Sequence, residues 1–147
     1  MDPNRMPEAF LGPYRVLDLT TQRGLIAGKL MGDLGADVIK VEPPRGEASR
    51  QVGPFYHDEP GPERSLYWMA FNLNKRGVTL DLERADGRAL FLRLVRTSDF
   101  VVESFDAGYM DSIGLGYDVL SRENPRVIVA AITPFGQSGP YSEFKTT

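Results

Sequence analysis

The chain has 147 residues, 17 basic and 20 acidic side chains and a formal net charge of −3, with 41% hydrophobic residues, one His and no Cys. That is enough chain for one globular domain with its own core. The absence of Cys excludes a disulfide scaffold, a thiolate nucleophile, an iron–sulfur cluster and Cys-ligated zinc, the single His57 cannot build a multi-histidine metal site, and the mild acidity speaks against nucleic acid or an anionic membrane as partner.

Residues 1–13 read as an irregular arm broken by Pro3, Pro7 and Pro13, with no hydrophobic signal region. Residues 14–147 read as one domain. Residues 14–19 form a short apolar strand, followed by the polar turn Thr20-Thr21-Gln22-Arg23-Gly24. Apolar pairs four apart (Ile26/Leu30, Ala27/Met31, Leu30/Leu34) predict a helix over 25–34 with one buried face, and Gly35 suits a left-handed cap. A second strand over 37–42 is stopped by Pro43-Pro44. The Pro- and Gly-rich stretch 43–64 is long enough to imply a functional loop. Residues 65–72 carry an aromatic cluster around Trp68, read as core, and Asn74-Lys75-Arg76-Gly77 reads as a solvated turn. A third strand over 78–82, a helix over 85–97, a fourth strand over 100–103 and a short helix over 117–123 follow. The run 126–132 has the near-continuous apolar pattern of a strand buried on both faces.

This alternation predicts an α/β fold with a parallel sheet, whose ligands bind beyond the carboxyl ends of the strands. No Gly-x-Gly-x-x-Gly or Walker loop is present. Gly24, Gly28 and Gly32 lie at helical spacing and read as close packing of helix on sheet. The helix N-terminus beside Gln22 and Arg23 is suited to a phosphate or acyl group. The run Pro134-Phe135-Gly136-Gln137-Ser138-Gly139-Pro140-Tyr141 forces a non-repetitive backbone at the ligand edge of the sheet. No apolar run is long enough to span a membrane, and the sequence is that expected of a cytoplasmic enzyme or subunit.

In order along the chain stand Arg15-Val16-Leu17-Asp18-Leu19, Leu34-Gly35-Ala36-Asp37-Val38-Ile39-Lys40-Val41-Glu42-Pro43-Pro44, Asn72-Leu73-Asn74-Lys75-Arg76-Gly77, Val101-Val102-Glu103-Ser104-Phe105, Asn124-Pro125-Arg126-Val127-Ile128 and Phe135-Gly136-Gln137-Ser138-Gly139-Pro140-Tyr141. Taken together these blocks resemble the N-terminal portion of a class III CoA-transferase, the CaiB–BaiF family, which also includes α-methylacyl-CoA racemase. The resemblance implies a Rossmann-like parallel sheet with flanking helices, incomplete relative to the family's interlocked two-domain fold. It implies coenzyme A or an acyl-CoA as substrate, a carboxylic acid as acceptor and no metal. It implies a homodimer or heteromer in the complete protein, and neither nucleic acid nor membrane as partner. The implied chemistry is attack by an active-site aspartate on an acyl-CoA, giving an acyl anhydride that CoA converts to an aspartyl-CoA thioester.

The resemblance carries Gln22 and Arg23 to the thioester end of CoA, Leu80, Asp81, Leu82, Glu83, Ser104, Phe105 and Asp106 to its adenine and ribose phosphate, and Lys145 to its diphosphate or pantetheine. Formyl-transferring members carry Arg at the place of Pro43, Lys at Glu83, Asn at Ser104 and Arg at Ser112. Each difference removes a cation or donor, leaving Arg45, Arg50, Lys75 and Arg76 as candidates to compensate. The family's nucleophilic aspartate falls in a Gly-Asp pair past the position matching Thr147, and Asp18, Asp33, Asp81 and Asp99 do not match it. The sequence therefore predicts the front part of a longer or split enzyme, inactive alone. A non-catalytic subunit of a heteromer and a racemase fragment are the alternatives.

Overall fold

The structure, a computed structural model, describes residues 9–144. Five parallel strands, β1 (Arg15–Leu19), β2 (Asp37–Glu42), β3 (Lys75–Thr79), β4 (Phe100–Glu103) and β5 (Ile128–Ala131), lie in the order β3-β2-β1-β4-β5. The order reverses at β1, so the carboxyl ends of β1 and β4 open a crevice where ligands of such sheets bind.

Alternate residues of the strands serve opposite faces. One face joins Leu17, Leu19, Ile39, Val41 and Val101 to Phe91 and Val95 of α3 (Ala85–Val95) and Leu120 of α5 (Tyr117–Glu123). Each fully buried side chain of this kind contributes about 1.5–3 kcal/mol. The other face joins Val16, Val38 and Val102 to Ala27 and Met31 of α1 (Leu25–Asp33), and α2 (Leu66–Asn72) packs beside α1.

Of the pairs that the spacing of α1 predicts to be buried, Ala27/Met31 faces the sheet and the two pairs that share Leu30 do not. Leu25 and Gly28 are buried, whereas Ile26, Leu30 and Leu34 are exposed. The reason is proximity: a Cβ on Gly28 would overlap Asp18 Oδ2, so glycine sets where the helix meets the sheet. Gly35, at φ +98°, ends the helix turn in the left-handed region. Strand β3 begins at Lys75, inside the predicted turn, because Lys75 pairs with Val38 and Arg76 with Ile39 of β2. The stretch 43–64 is compact rather than open: it holds two 3-10 turns, Ala48–Gln51 and Tyr56–Asp58, and Phe55 bridges Ser65. Ser65 caps α2, its Oγ accepting from Trp68 N at 3.0 Å. A further short helix, α4 (Tyr109–Ser112), lies after β4. Strand β5 departs most from expectation. It pairs with β4 on one side only, and Ile128, Ala130 and Ala131 are exposed.

Candidate functional site

At the carboxyl ends of β1 to β4 lies a cavity of about 560 Å³. Leu80, Asp81, Leu82, Glu83 and Phe105, all singled out by sequence, line it together. The remaining wall is Leu19, Val41, the segment Glu42-Pro43-Pro44-Arg45 and Tyr109. Arg45 was among the candidate compensating cations. Tyr109 was not foreseen, because α4 carries no clear apolar period. Burial and the nearby Glu83 carboxylate, 3.5 Å from its hydroxyl, push the Tyr109 phenol above its ordinary value.

The other predicted residues are distributed around the β1–β4 crevice. Ser104 is buried, and its Oγ accepts from Thr21 N at 2.7 Å, tying the end of β4 to the turn after β1. Gln22 is exposed on that turn. Arg23 Nη1 pairs with Asp106 Oδ1 at 3.1 Å, and both line a smaller cavity of about 290 Å³ with Thr133, Pro134 and Phe144. Lys145 lies outside the described residues. Gln137, from the Pro- and Gly-rich run, donates to Glu103 Oε1 at 3.1 Å and accepts from Gly108 N at 3.2 Å. Burial holds the Glu103 carboxyl above its ordinary value, although the Phe105 amide donates to it.

Beneath the turn 20–24 sits a buried charge cluster that sequence reasoning did not detect. Asp18, Lys40 and Lys75 come from three adjacent strands, and their side chains are 0%, 2% and 1% exposed. Lys75 Nζ lies 2.8 Å from Asp18 Oδ2, which has no other polar partner among the described residues. Lys40 Nζ lies 3.3 Å from Oδ1 and donates to the Thr20 carbonyl. Lys75 also donates to the Leu25 carbonyl and to Asn72 Oδ1, each at 2.9 Å. Burial raises the Asp18 carboxyl, but the two ammonium groups and the hydrogen bonds from Lys75 and Thr20 outweigh it, and the net shift is downward. Burial leads for Lys75 and holds its ammonium below the ordinary lysine value. The cluster clamps both ends of the β1–α1 connection, so Gln22 and Arg23 ride on a braced turn.

A second bracing pair supports the cavity rim. Arg50 forks onto Glu42, Nε to Oε2 at 2.6 Å and Nη2 to Oε1 at 2.8 Å, and its guanidinium lies 4.0 Å over the Trp68 ring. Burial pushes the Glu42 carboxyl up, yet the Arg50 fork and the Glu47 amide bring it below its ordinary value. Among the described residues no group of three or more His, Asp or Glu side chains is placed to hold a metal ion, and no helix is long and apolar enough to cross a membrane.

Residues 11–146 match the sequence profile of CoA-transferase family III. The chain belongs to that family. It is 43% identical over 131 residues to the succinyl-CoA:(R)-benzylsuccinate CoA-transferase subunit BbsE of Thauera aromatica, covering 89% of this chain and 32% of that protein. It is 42% identical over 146 residues to the succinate–glutarate CoA-transferase of Agrobacterium fabrum, covering 97% and 36%. A crystal structure of a CAIB/BAIF family protein from Brucella suis superposes with a TM-score of 0.83 at 42% identity, over 91% of this chain and 36% of that one. The chain thus spans about a third of the length of these family III relatives.

Proposed function

We propose that this chain is the coenzyme A-binding part of an enzyme that moves CoA between an acyl-CoA and a carboxylic acid. The observation that carries the reading is the 560 Å³ cavity at the carboxyl ends of the strands, into which residues 80–83 and Phe105 converge. The nucleotide end of CoA occupies this cavity, and the thioester end runs toward Gln22 and Arg23 on the braced turn. Lys145 approaches the diphosphate or pantetheine. An aspartate from outside these residues attacks the thioester carbonyl and releases the CoA thiolate, forming an acyl anhydride. The thiolate then attacks the aspartyl carbonyl of the anhydride, releasing the donor acid and leaving an aspartyl-CoA thioester. The acceptor carboxylate finally takes the CoA through a second anhydride and regenerates the aspartate. Asp18 is unsuited to the nucleophilic role, since it is fully buried between Lys40 and Lys75.

Calorimetric titration with CoA tests the reading. Saturable binding, weakened by Gln22→Ala and by Lys145→Ala, is the expected result. A folded protein that takes up no CoA overturns the reading. A second reading, a non-catalytic subunit of a heteromer, draws on relatives that are themselves named as subunits. Transfer activity that appears only on adding a second polypeptide would favour it.

A further inference from the structure

One wall of the main cavity is held from behind. The segment 104–109, which leaves β4, turns Phe105 and Tyr109 into that cavity, their ring centroids 4.7 Å apart. On the β5 side, Glu103, Gly108 and Gln137 line a separate cavity of about 390 Å³. Neither Glu103 nor Gln137 lines the main one.

Three hydrogen bonds close a ring across this second cavity. Glu103 Oε2 accepts from Phe105 N at 2.7 Å, Glu103 Oε1 accepts from Gln137 Nε2 at 3.1 Å, and Gln137 Oε1 accepts from Gly108 N at 3.2 Å. Glu103 is 3% exposed and forms no ion pair among the described residues, so its carboxylate depends on these donors. Gln137 reaches it from the run 134–141, whose Phe135 and Tyr141 rings pack on each other and on Phe144, with centroids between 5.2 and 6.4 Å apart. Gly108, at φ +78°, is the residue from which α4 starts. The segment carrying Phe105 and Tyr109 is thus pinned on both sides, by Phe105 N on Glu103 and by Gly108 N on Gln137.

We infer that Gln137 and Glu103 are positioning residues for the ligand of the main cavity. Their ring fixes the segment 104–109, and with it the Phe105–Tyr109 wall against which the nucleotide end of CoA lies. This rests on the coenzyme A reading above.

The order of donors and acceptors in the ring supplies the test. Gln137→Ala removes two of the three bonds. Gln137→Glu sets a second carboxylate against Glu103. Glu103→Gln leaves one bond unmade whichever way the two amides turn. Combining Glu103→Gln with Gln137→Glu restores all three, because the amide at position 103 accepts from Phe105 N and donates to the carboxylate at 137, which accepts from Gly108 N.

CoA affinity is measured calorimetrically, well below the melting temperature of each variant. Loss of the ring predicts about tenfold weaker binding by Gln137→Ala. Gln137→Glu should lose more, Glu103→Gln less, and the combined variant should return to the unsubstituted affinity. In a Phe105→Ala background most of the Gln137→Ala loss should vanish, since the ring it positions is gone. Equal losses in both backgrounds would mean that Gln137 does not act through this wall, and would overturn the inference. If Gln137→Ala binds CoA as the unsubstituted protein does, the inference falls while the CoA reading stands. If the unsubstituted protein takes up no CoA, the CoA reading falls and takes this inference with it.

Discussion

On one face of the sheet, Leu17, Leu19, Ile39 and Val41 pack apolar side chains against Phe91 and Val95. On the other face, the residues between them, Asp18, Lys40 and Glu42, bury charge beneath α1 and beside Trp68. The first face follows from hydrophobic area alone and tolerates many arrangements of similar volume. The second has few solutions, because each buried charge needs a partner at a set distance and a helix close enough to exclude water. Glycine at position 28 supplies that closeness. The charged face is also the one that braces the turn carrying Gln22 and Arg23 and the rim carrying Arg45. The fold thus spends its costlier burial where ligand-facing segments must be held still.

Asp18→Asn should break the comparison most severely. It leaves two buried ammonium groups without an anion and should cost about 3–5 kcal/mol, read from urea denaturation. An unchanged midpoint would mean that the cluster is not the constraint described here. Leu17→Ala, one residue away on the apolar face, should cost about 2–5 kcal/mol through the cavity it leaves.

The two variants separate by pH dependence. Asp18 and Glu42 titrate below their ordinary values of 3.8 and 4.5 in the folded protein. Their contribution is complete above those values and is lost as pH falls through the depressed folded ones. Glu103 acts in the opposite sense, since its raised value favours the protonated form. Leu17→Ala should lower the stability curve evenly across acid pH, whereas Asp18→Asn should flatten its acid limb. Parallel acid limbs for the two variants would contradict the assignment of Asp18.

Ile128→Lys should have the smallest effect, within about 0.5 kcal/mol, because the side chain stands exposed on the edge strand β5. A loss above about 2 kcal/mol would show that this strand is covered in the protein as it functions, as its apolar sequence suggested.

Strands β1, β2 and β4, helix α3 and the parallel sheet were legible because apolar runs and helical spacing are local signals. The cavity-lining segment 80–83 was legible as the carboxyl end of a predicted strand, where ligands of parallel sheets bind, and the family resemblance assigned it to the CoA nucleotide. Other features depended on partners distant in sequence. Lys75 looked like a solvated turn residue until pairing with Val38 placed it under α1 against Asp18, 57 positions earlier. The inward stripe of α1 was only partly legible for the same reason: Ala27 and Met31 face the sheet as their spacing predicts, but the Asp18 carboxylate and Gly28 turn Ile26, Leu30 and Leu34 outward. Arg45, Arg50, Lys75 and Arg76 were equivalent cations in the sequence. The tertiary structure alone distinguished them, because the availability of a charge for a ligand depends on which opposite charges the fold has already brought to it.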